Sequence, residues 1–164
     1  MYVSPEGVNY IHNRESCRLA AYLDSVGVWT IGWGTIRYPD GRKVKKGDTC
    51  TQLQADVYFR NDLRRFELDV DALTSDKINP RQFDALVSLA YNIGTTSYRG
   101  SRVRKLVNAN PNDPAIRDRM MLWCRGQLDD DPYKERSEGL WNRRHSEADQ
   151  YFGVTTPRPT FPGP

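Results

Sequence analysis

Glu15, Asp24 and Thr30 are the side chains whose types and spacing suit bond-breaking chemistry. Eight residues separate Glu15 from Asp24, five separate Asp24 from Thr30, and Thr30 opens the run Thr-Ile-Gly-Trp-Gly. Cleavage of a glycosidic bond needs two carboxyl groups with different surroundings. One is protonated and supplies a proton to the leaving oxygen, and the other is ionised and faces positive charge or activates water. The stretch from residue 15 to residue 35 therefore predicts glycosidic bond cleavage.

Each of these three residues also has a plain structural interpretation. Glu15 can be a surface carboxylate that pairs with Arg14 or Arg18, and Asp24 can be a turn residue that bonds the local backbone. Thr30 can be simply a β-branched strand residue. The chemical interpretation therefore depends on the elements that position the three side chains.

The elements around this stretch are predicted to be one short helix and a hairpin. Ser4-Pro5-Glu6 combines a hydroxyl N-cap, a proline at the first helical position and an acid in the first turn, so a helix is expected to run to about Glu15. Residues 18–24 and 28–33 are predicted to be strands, joined by a loop in which Gly27 takes a positive φ. A third short strand is expected over residues 37–44, around the Pro39-Asp40-Gly41 turn.

From Thr51 onward the pattern becomes helical. Thr51 and Gln54 have capping-box spacing, and Leu53, Val57, Leu63, Phe66 and Val70 recur at helical intervals, which predicts one long helix to about Ala72. A second helix opens at Asn79-Pro80, is rich in apolar residues and stops at Gly94, as a buried central helix would. Further helices are predicted over residues 101–109, 114–123 and 139–152, capped by Ser101, Asp113 and Ser137.

These elements predict an α+β architecture, mainly helical. A small N-terminal β-hairpin lobe and a helical C-terminal lobe are joined by the long helix, whose span of about 51–72 contains the lobe boundary, with a cleft between the lobes. Residues 1–154 are expected to form a single domain. The tail, residues 155–164, contains four prolines and is expected to be poorly ordered. The acidic run at residues 129–131 lacks the spacing of a calcium loop and is expected to be an exposed connection.

Composition narrows the class of protein. Apolar residues make up 38% and charged residues 27% of 164 residues, which is typical of a globular domain. No apolar run approaches the roughly 20 residues of a membrane span, and the first 15 residues lack a signal-peptide layout. Net charge is +3, and the whole excess falls from Arg99 onward. Three cysteines without CxxC spacing and two distant histidines predict no disulfide framework, no metal site and no cofactor.

Three blocks of the sequence resemble the phage-type lysozymes of glycoside hydrolase family 24, typified by the T-even phage endolysin. The first block is Glu15-x8-Asp24-x5-Thr30 with Thr-Ile-Gly-Trp-Gly, the second is residues 82–94, and the third is residues 139–152, close to the family's closing helix. Together they span roughly residues 5 to 152 in the right order. One position and one segment depart from the family pattern. Thr35 stands where family members often have histidine or valine, so any ion pair made from that position elsewhere in the family is absent. Residues 95–106 differ from the family's usual segment.

The resemblance implies a muramidase, EC 3.2.1.17, that cleaves the β-1,4 bond between N-acetylmuramic acid and N-acetylglucosamine in peptidoglycan. Carried over by position, Glu15 is the general acid, Asp24 the second carboxylate and Thr30 the catalytic threonine. Arg143 matches an arginine near the general acid, where it tunes or anchors Glu15, although a solvated helix face is a competing interpretation. The substrate-binding residues that the resemblance implies are Tyr91, Asn92, Ile36 and Ser101; for Tyr91, sugar stacking and plain core packing stay open.

The rival functions are a lytic transglycosylase, which needs only one glutamate, and a non-catalytic wall-binding or baseplate module. Asp24 and Thr30 argue against the first, and the intact trio of residues argues against the second. A nucleic-acid module ranks last because the charge excess is small. The resemblance further implies an endolysin for host lysis that acts on peptidoglycan glycan strands, without nucleic acid or stable membrane insertion. It is expected to be a monomer held in the host cytoplasm until a holin releases it to the wall.

Overall fold

The protein, described here from a computed structural model, is an α+β fold that is mainly helical, as predicted. The structure describes residues 1–24, 26–124, 137–158 and 160–162, so Ser25 of the hairpin loop and the acidic run at 129–131 lie outside the described residues. In chain order the elements are α1 (Pro5–His12), β1 (Arg18–Leu23), β2 (Trp29–Gly32), α2 (Gln52–Leu73), α3 (Pro80–Ile93), α4 (Thr95–Gly100), α5 (Arg102–Ala109), α6 (Ala115–Met121), a 3-10 turn (Leu122–Cys124) and α7 (Glu138–Phe152).

The two strands form an antiparallel hairpin where the sequence predicts one. Tyr22 pairs with Thr30 and Leu23 with Trp29, and an irregularity in β1 separates these pairs from Arg18. Gly27 has φ of +78°, as its predicted place in the turn requires. The hairpin is therefore confirmed, with β1 one residue and β2 two residues shorter than expected.

The predicted third strand at residues 37–44 is wrong. Only one isolated bridge forms there, between Arg37 and Lys43. The chain turns too tightly to continue the ladder, because the Gly41 N–H donates to the Tyr38 carbonyl and the Tyr38 N–H donates to the Arg42 carbonyl. Pro39, inside this turn, has no N–H to donate. The segment is a basic turn rather than a strand.

The chain divides into two compact units, and the boundary in the second half of α2 falls after Arg65. One unit is Val8–Arg65, with the hairpin and most of α2. Gly32 has φ of +62°, and a Cβ there would lie 3.1 Å from the Ala55 Cβ, so glycine allows β2 to approach α2 closely. The buried apolar side chains of this unit are Ile11, Ile31, Val44, Ala55, Phe59 and Leu63.

The other unit comprises Met1–Gly7 and Phe66–Pro164. Its centre is α3, which begins with the reciprocal Asn79–Gln82 capping box, is buried along almost its whole length and ends at Gly94, as predicted. α7 packs on α3, and α6 packs on α7. The first residues are fixed to α3, because both the Ser4 backbone N–H and its hydroxyl donate to the Asp84 carboxylate.

Several helix bounds and faces differ from expectation. α1 ends at His12 rather than Glu15, because Arg14 and Glu15 donate to carbonyls three residues back, which tightens the last turn. In α2 the reciprocal Thr51–Gln54 cap is confirmed. Of the five apolar positions predicted to share the buried face of α2, Leu63 and Val70 are buried. Leu53 and Val57 are 74% and 51% exposed, so the prediction is wrong only near the start of the helix.

The later helices keep their predicted order with two changes. A short helix, α4, was not expected, and the helix predicted over 114–123 breaks into α6 and a 3-10 turn at Trp123, whose backbone is not helical. α5 and α7 are confirmed, with the Ser101 and Ser137 hydroxyls accepting from the third residue on. In the tail, Thr156 bonds Asp149, and the expected poor order of residues 155–164 stays a prediction.

Candidate functional site

Asp24 directs the hairpin turn through its own carboxylate. Oδ1 accepts the backbone N–H groups of Val26 at 3.0 Å and Val28 at 2.8 Å, while the Asp24 N–H donates to the Val28 carbonyl at 3.0 Å. The turn interpretation of Asp24 is therefore correct, but it occupies only one oxygen. Oδ2 accepts no hydrogen bond from the residues that the structure describes, and the side chain is half-buried. That oxygen remains available for a substrate or water.

Thr30 lies beside Asp24 because both bond to Val28. The Thr30 hydroxyl donates to the Val28 carbonyl at 3.1 Å, the same oxygen that accepts the Asp24 N–H. Thr30 is 3% exposed. Since its hydrogen is already donated, the hydroxyl oxygen can act toward a water only as an acceptor. The structure thus joins the second carboxylate and the threonine through one residue of the turn.

Glu15 occupies the bend between α1 and β1 and is half-buried. Its backbone N–H donates to the His12 carbonyl at 3.2 Å. His12 in turn lies against Trp33, with ring centroids 3.7 Å apart, and its Nε2 is 3.6 Å from the Asp56 carboxylate. The end of α1 that leads into Glu15 is thus held by the Trp33 of the hairpin and by α2.

The cluster of His12, Trp33 and Asp56 was missed by sequence reasoning, which considered His12 only as a metal ligand. The Trp33 indole N–H donates to Asp56 Oδ1 at 2.8 Å, and the Gln52 amide donates to the same oxygen at 2.9 Å. These two hydrogen bonds, the indole's first, hold the pKa of Asp56 below its usual value. The spacing of Gln52 and Asp56, four apart on one helix, was a usable signal.

Ile36, a predicted substrate residue, lies at a pocket beside the hairpin. This surface pocket has a volume of about 370 Å³ and is lined on one side by Val28 and Trp29 and on the other by Ile36 and Lys43. Ile36 is 45% exposed. An apolar side chain this exposed, next to the turn that carries Asp24, can contact a bound sugar.

The remaining predicted substrate residues belong to the other unit. The Tyr91 ring packs near Phe66, with centroids 4.9 Å apart, and the Asn92 side-chain oxygen accepts from Arg144 at 2.9 Å. Ser101 is 5% exposed, and its hydroxyl accepts from the Arg104 N–H as the cap of α5. Ser101 therefore offers little surface to a ligand, whereas Tyr91 and Asn92 are half-buried.

Arg143, the predicted supporting residue, is part of a buried ionic network between α3 and α7. Arg143 Nε donates to Glu147 Oε1 at 3.1 Å, and Arg144 Nε lies 2.9 Å from Glu147 Oε2. The Ser88 hydroxyl donates to Glu147 at 2.7 Å. Glu147 and Arg144 are fully buried and Arg143 is 9% exposed. Sequence reasoning missed Glu147, although its spacing of three and four residues from the two arginines was visible.

Comparison with known proteins assigns the chain to a family. The family model described as phage lysozyme matches residues 12–147, a range that contains Glu15, the hairpin, α2, α3 and most of α7. The chain belongs to the phage lysozyme family.

Three relatives of this phage lysozyme family member each match 86% or more of its length. It is 34% identical over 144 residues to the endolysin of Salmonella phage P22, covering 86% of this chain and 98% of that protein. The solved endolysin from Escherichia coli O157:H7 phage FAHEc1 has a TM-score of 0.82 at 38% identity, over 96% of this chain and 98% of that one. The solved muramidase domain of SpmX from Asticaccaulis excentricus has a TM-score of 0.76 at 29% identity, over 94% and 98%.

Two further findings concern metals and membranes. Within the part of the phage lysozyme domain that the structure describes, no three histidine, cysteine or acidic side chains gather as metal ligands would. None of the described helices has both the length and the apolar character needed to cross a bilayer.

Proposed function

We propose that this chain is a muramidase, a peptidoglycan hydrolase that cleaves the β-1,4 bond between N-acetylmuramic acid and N-acetylglucosamine. One observation carries the proposal. In a chain of the phage lysozyme family, a half-buried glutamate, an aspartate and a threonine hydroxyl lie within one unit, and Val28 joins the last two. One oxygen of that aspartate accepts no hydrogen bond from the described residues. Relatives named as endolysins and a structural neighbour named as a muramidase domain support the same assignment.

Glu15 is the general acid of the proposed reaction. It gives its proton to the glycosidic oxygen as the bond to the anomeric carbon breaks, so the leaving sugar departs as an alcohol. Its half-buried position next to the anchored end of α1 keeps the carboxyl in a fixed place. Asp24 is the ionised partner. Its outward oxygen faces the positive charge that develops on the sugar ring.

Thr30 positions the water in this mechanism. Its hydroxyl oxygen accepts a hydrogen bond from a water whose second hydrogen is accepted by Asp24, and that water attacks the anomeric carbon from the face opposite to the leaving group. The product therefore has an inverted anomeric configuration. The proton lost by the water passes to Asp24, and the proton given to the leaving group comes from Glu15, so the charges balance.

Substrate contacts are proposed for Ile36, Tyr91, Asn92 and Ser101, and a supporting role is proposed for Arg143. Ile36 has the strongest support because it lies in the pocket beside the hairpin. Arg143 is proposed to tune or anchor the general acid, and within its own unit it shares Glu147 with Arg144, which donates to Asn92. The protein acts as a monomer in host lysis, after a holin has given it access to the wall.

The test is digestion of purified peptidoglycan with the wild type and with Glu15→Gln, with the released ends read by mass spectrometry. Glu6→Gln is the matched control, an exposed acid in α1, the helix that precedes Glu15. We expect reducing muramic-acid ends from the wild type and from Glu6→Gln, and a rate at least about a hundredfold lower from Glu15→Gln. Anhydro ends would instead assign a lytic transglycosylase, and no release from any variant would assign a wall-binding module.

A further inference from the structure

The turn from Arg37 to Asp48 has an excess of positive charge, although residues 1–98 as a whole have equal numbers of basic and acidic residues. It contains five basic and two acidic residues, a local excess of three charges that equals the formal net charge of the whole chain, +3. Three of the chain's lysines lie within four positions of one another, at Lys43, Lys45 and Lys46. All three are exposed. Such a cluster attracts anions.

Part of this turn lines a surface pocket of about 590 Å³, which we call the basic pocket. Its walls are Tyr38, Arg42, Lys43, Lys45 and Asp48 from the turn, together with Tyr58 from α2. The two tyrosine rings meet edge to face, with centroids 5.1 Å apart. The pocket therefore combines an aromatic wall with cationic side chains.

The two acids of the basic pocket are hydrogen-bonded to groups other than the lysine ammonium groups. Asp40 accepts from the Arg42 backbone N–H at 3.0 Å and from the Arg42 guanidinium at 2.8 Å. Asp48 accepts from the Tyr38 hydroxyl at 2.9 Å and from the Lys45 backbone N–H at 3.0 Å. These bonds fix both carboxylates to the turn itself. Among the described residues, neither the Lys43 nor the Lys45 ammonium forms an ion pair.

The basic pocket adjoins the pocket beside the hairpin at Lys43, which lines both. The hairpin pocket also contains Val28, the residue that joins Asp24 and Thr30. A ligand in the basic pocket would therefore lie close to a ligand in the hairpin pocket. A group covalently attached to the sugar chain would reach both.

We propose that the basic pocket binds the carboxylates of the short peptides that branch from the peptidoglycan glycan strand. This inference rests on the proposed function, since it assigns a second part of the same substrate. Lys45 and Lys43 attract the carboxylate, and the rings of Tyr38 and Tyr58 pack against the aliphatic part of the peptide. A volume of about 590 Å³ suits a few residues of peptide.

A phosphate polymer is the weaker candidate for this pocket. Phosphate is recognised best by the planar fork of arginine, which donates two parallel hydrogen bonds. The arginine of the pocket, Arg42, is already bonded through Nε to Asp40. The other cations of the pocket are Lys43 and Lys45. A lysine ammonium acts as a point charge, so it binds a single carboxylate as well as it binds a phosphate.

The experiment compares Lys45→Glu with Lys46→Glu, two adjacent exposed lysines given the same charge change, of which only Lys45 lines the pocket. Dissociation constants are measured by calorimetry at low salt for three soluble probes. These are glycan fragments with their peptides, the same fragments freed of peptides by an amidase, and poly(glycerol phosphate). Cleavage of both kinds of glycan fragment by the wild type is measured alongside, and circular dichroism confirms that both variants fold.

We expect Lys45→Glu to bind the peptide-bearing fragments about tenfold more weakly than Lys46→Glu, and the two to bind peptide-free fragments equally. Equal binding of the peptide-bearing fragments by both variants would overturn the proposal. So would a loss confined to poly(glycerol phosphate), which would identify a phosphate site. Failure of the wild type to cleave either kind of glycan fragment would refute the proposed function instead, and the binding comparison would still decide the role of the pocket.

Discussion

Asp24 and Val28 exchange hydrogen bonds in both directions across the hairpin turn. The Val28 N–H donates to the Asp24 carboxylate at 2.8 Å, and the Asp24 N–H donates to the Val28 carbonyl at 3.0 Å. The same carbonyl accepts the Thr30 hydroxyl. One residue of the chain thus sets the positions of both groups proposed to act on the attacking water, and the structural and chemical roles of Asp24 can be separated by mutation.

Asp24→Asn is expected to keep the turn but lose the reaction. The asparagine oxygen accepts the same two backbone N–H groups, so the melting temperature should change little, while the lost negative charge should lower the rate at least about a hundredfold. Asp24→Ala should lose both the hydrogen bonds of the turn and the reaction, with a stability cost of about 1–3 kcal/mol for the unpaired backbone amides. Thermal melts and peptidoglycan digestion of the two variants provide the comparison. Full activity in Asp24→Asn would show that the residue serves the turn alone.

The role of the Thr30 hydroxyl can likewise be separated by mutation from the role of its β-branched shape. Thr30→Val keeps the shape and removes the hydroxyl, and we expect a rate lower by about tenfold or more with a stability cost near 1 kcal/mol, because Val28 keeps its bond from Asp24. Thr30→Ser, which retains the hydroxyl, should recover most of the rate. Steady-state digestion rates and urea unfolding measure the two effects. If the valine variant equals the serine variant in rate, the hydroxyl has no part in positioning water.

The elements that the sequence predicted well are those with local signals. The caps of α2, α3, α5 and α7 are formed by a side chain and a backbone N–H three residues apart, so they can be read before any tertiary contact is known. The buried face at the start of α2 could not be read in this way, although Leu63 and Val70 farther along are buried as predicted. Leu53 and Val57 fit the helical period but lie in the first turns, where the hairpin contacts the helix through Ala55 instead.

The site was predictable in its residue types but not in its connections. The pattern of Glu15, Asp24 and Thr30 predicts the type of reaction. Nothing in it indicates that Val28 bonds both Asp24 and Thr30, or that the contact of His12 with Trp33 fixes the end of α1 before Glu15. Those contacts depend on side-chain directions in the folded hairpin. The full burial of Glu147 likewise depends on the packing of α7 against α3.

Asp62 is expected to destabilise the folded protein at neutral pH. Burial is the main cause that raises the pKa of this carboxyl, and the hydrogen bond from the Thr35 hydroxyl, 2.6 Å long, opposes that rise only in part. Because the folded pKa lies above the unfolded one, the folded state binds the proton more tightly. The free energy of unfolding therefore falls as pH rises through the unfolded pKa of about 4 and the folded pKa above it.

Asp62→Asn removes that penalty while its side-chain oxygen can still accept from Thr35. The variant should melt at a higher temperature than the wild type at pH 7, and the difference should shrink as the pH falls toward 4. Loss of the Asp62–Arg65 ion pair should matter little, because Arg65 is largely exposed. Asp76→Asn, an exposed acid, is the control and should show no such convergence. A difference that grows toward low pH would refute the assignment.

Glu147 should be among the most sensitive positions for stability. Its carboxylate is fully buried and faces both Arg143 and Arg144, so Glu147→Gln leaves two buried guanidinium groups without their shared negative charge, at a cost of about 3–5 kcal/mol. Ser88→Ala, which removes one hydrogen bond to the same carboxylate, should cost about 1 kcal/mol. Glu138→Gln in the first turn of α7 is exposed and should change the free energy of unfolding by less than about 1 kcal/mol. Urea unfolding of the three variants ranks them, and a Glu147→Gln protein as stable as Glu138→Gln would mean that the network does not stabilise the packing of α7 on α3.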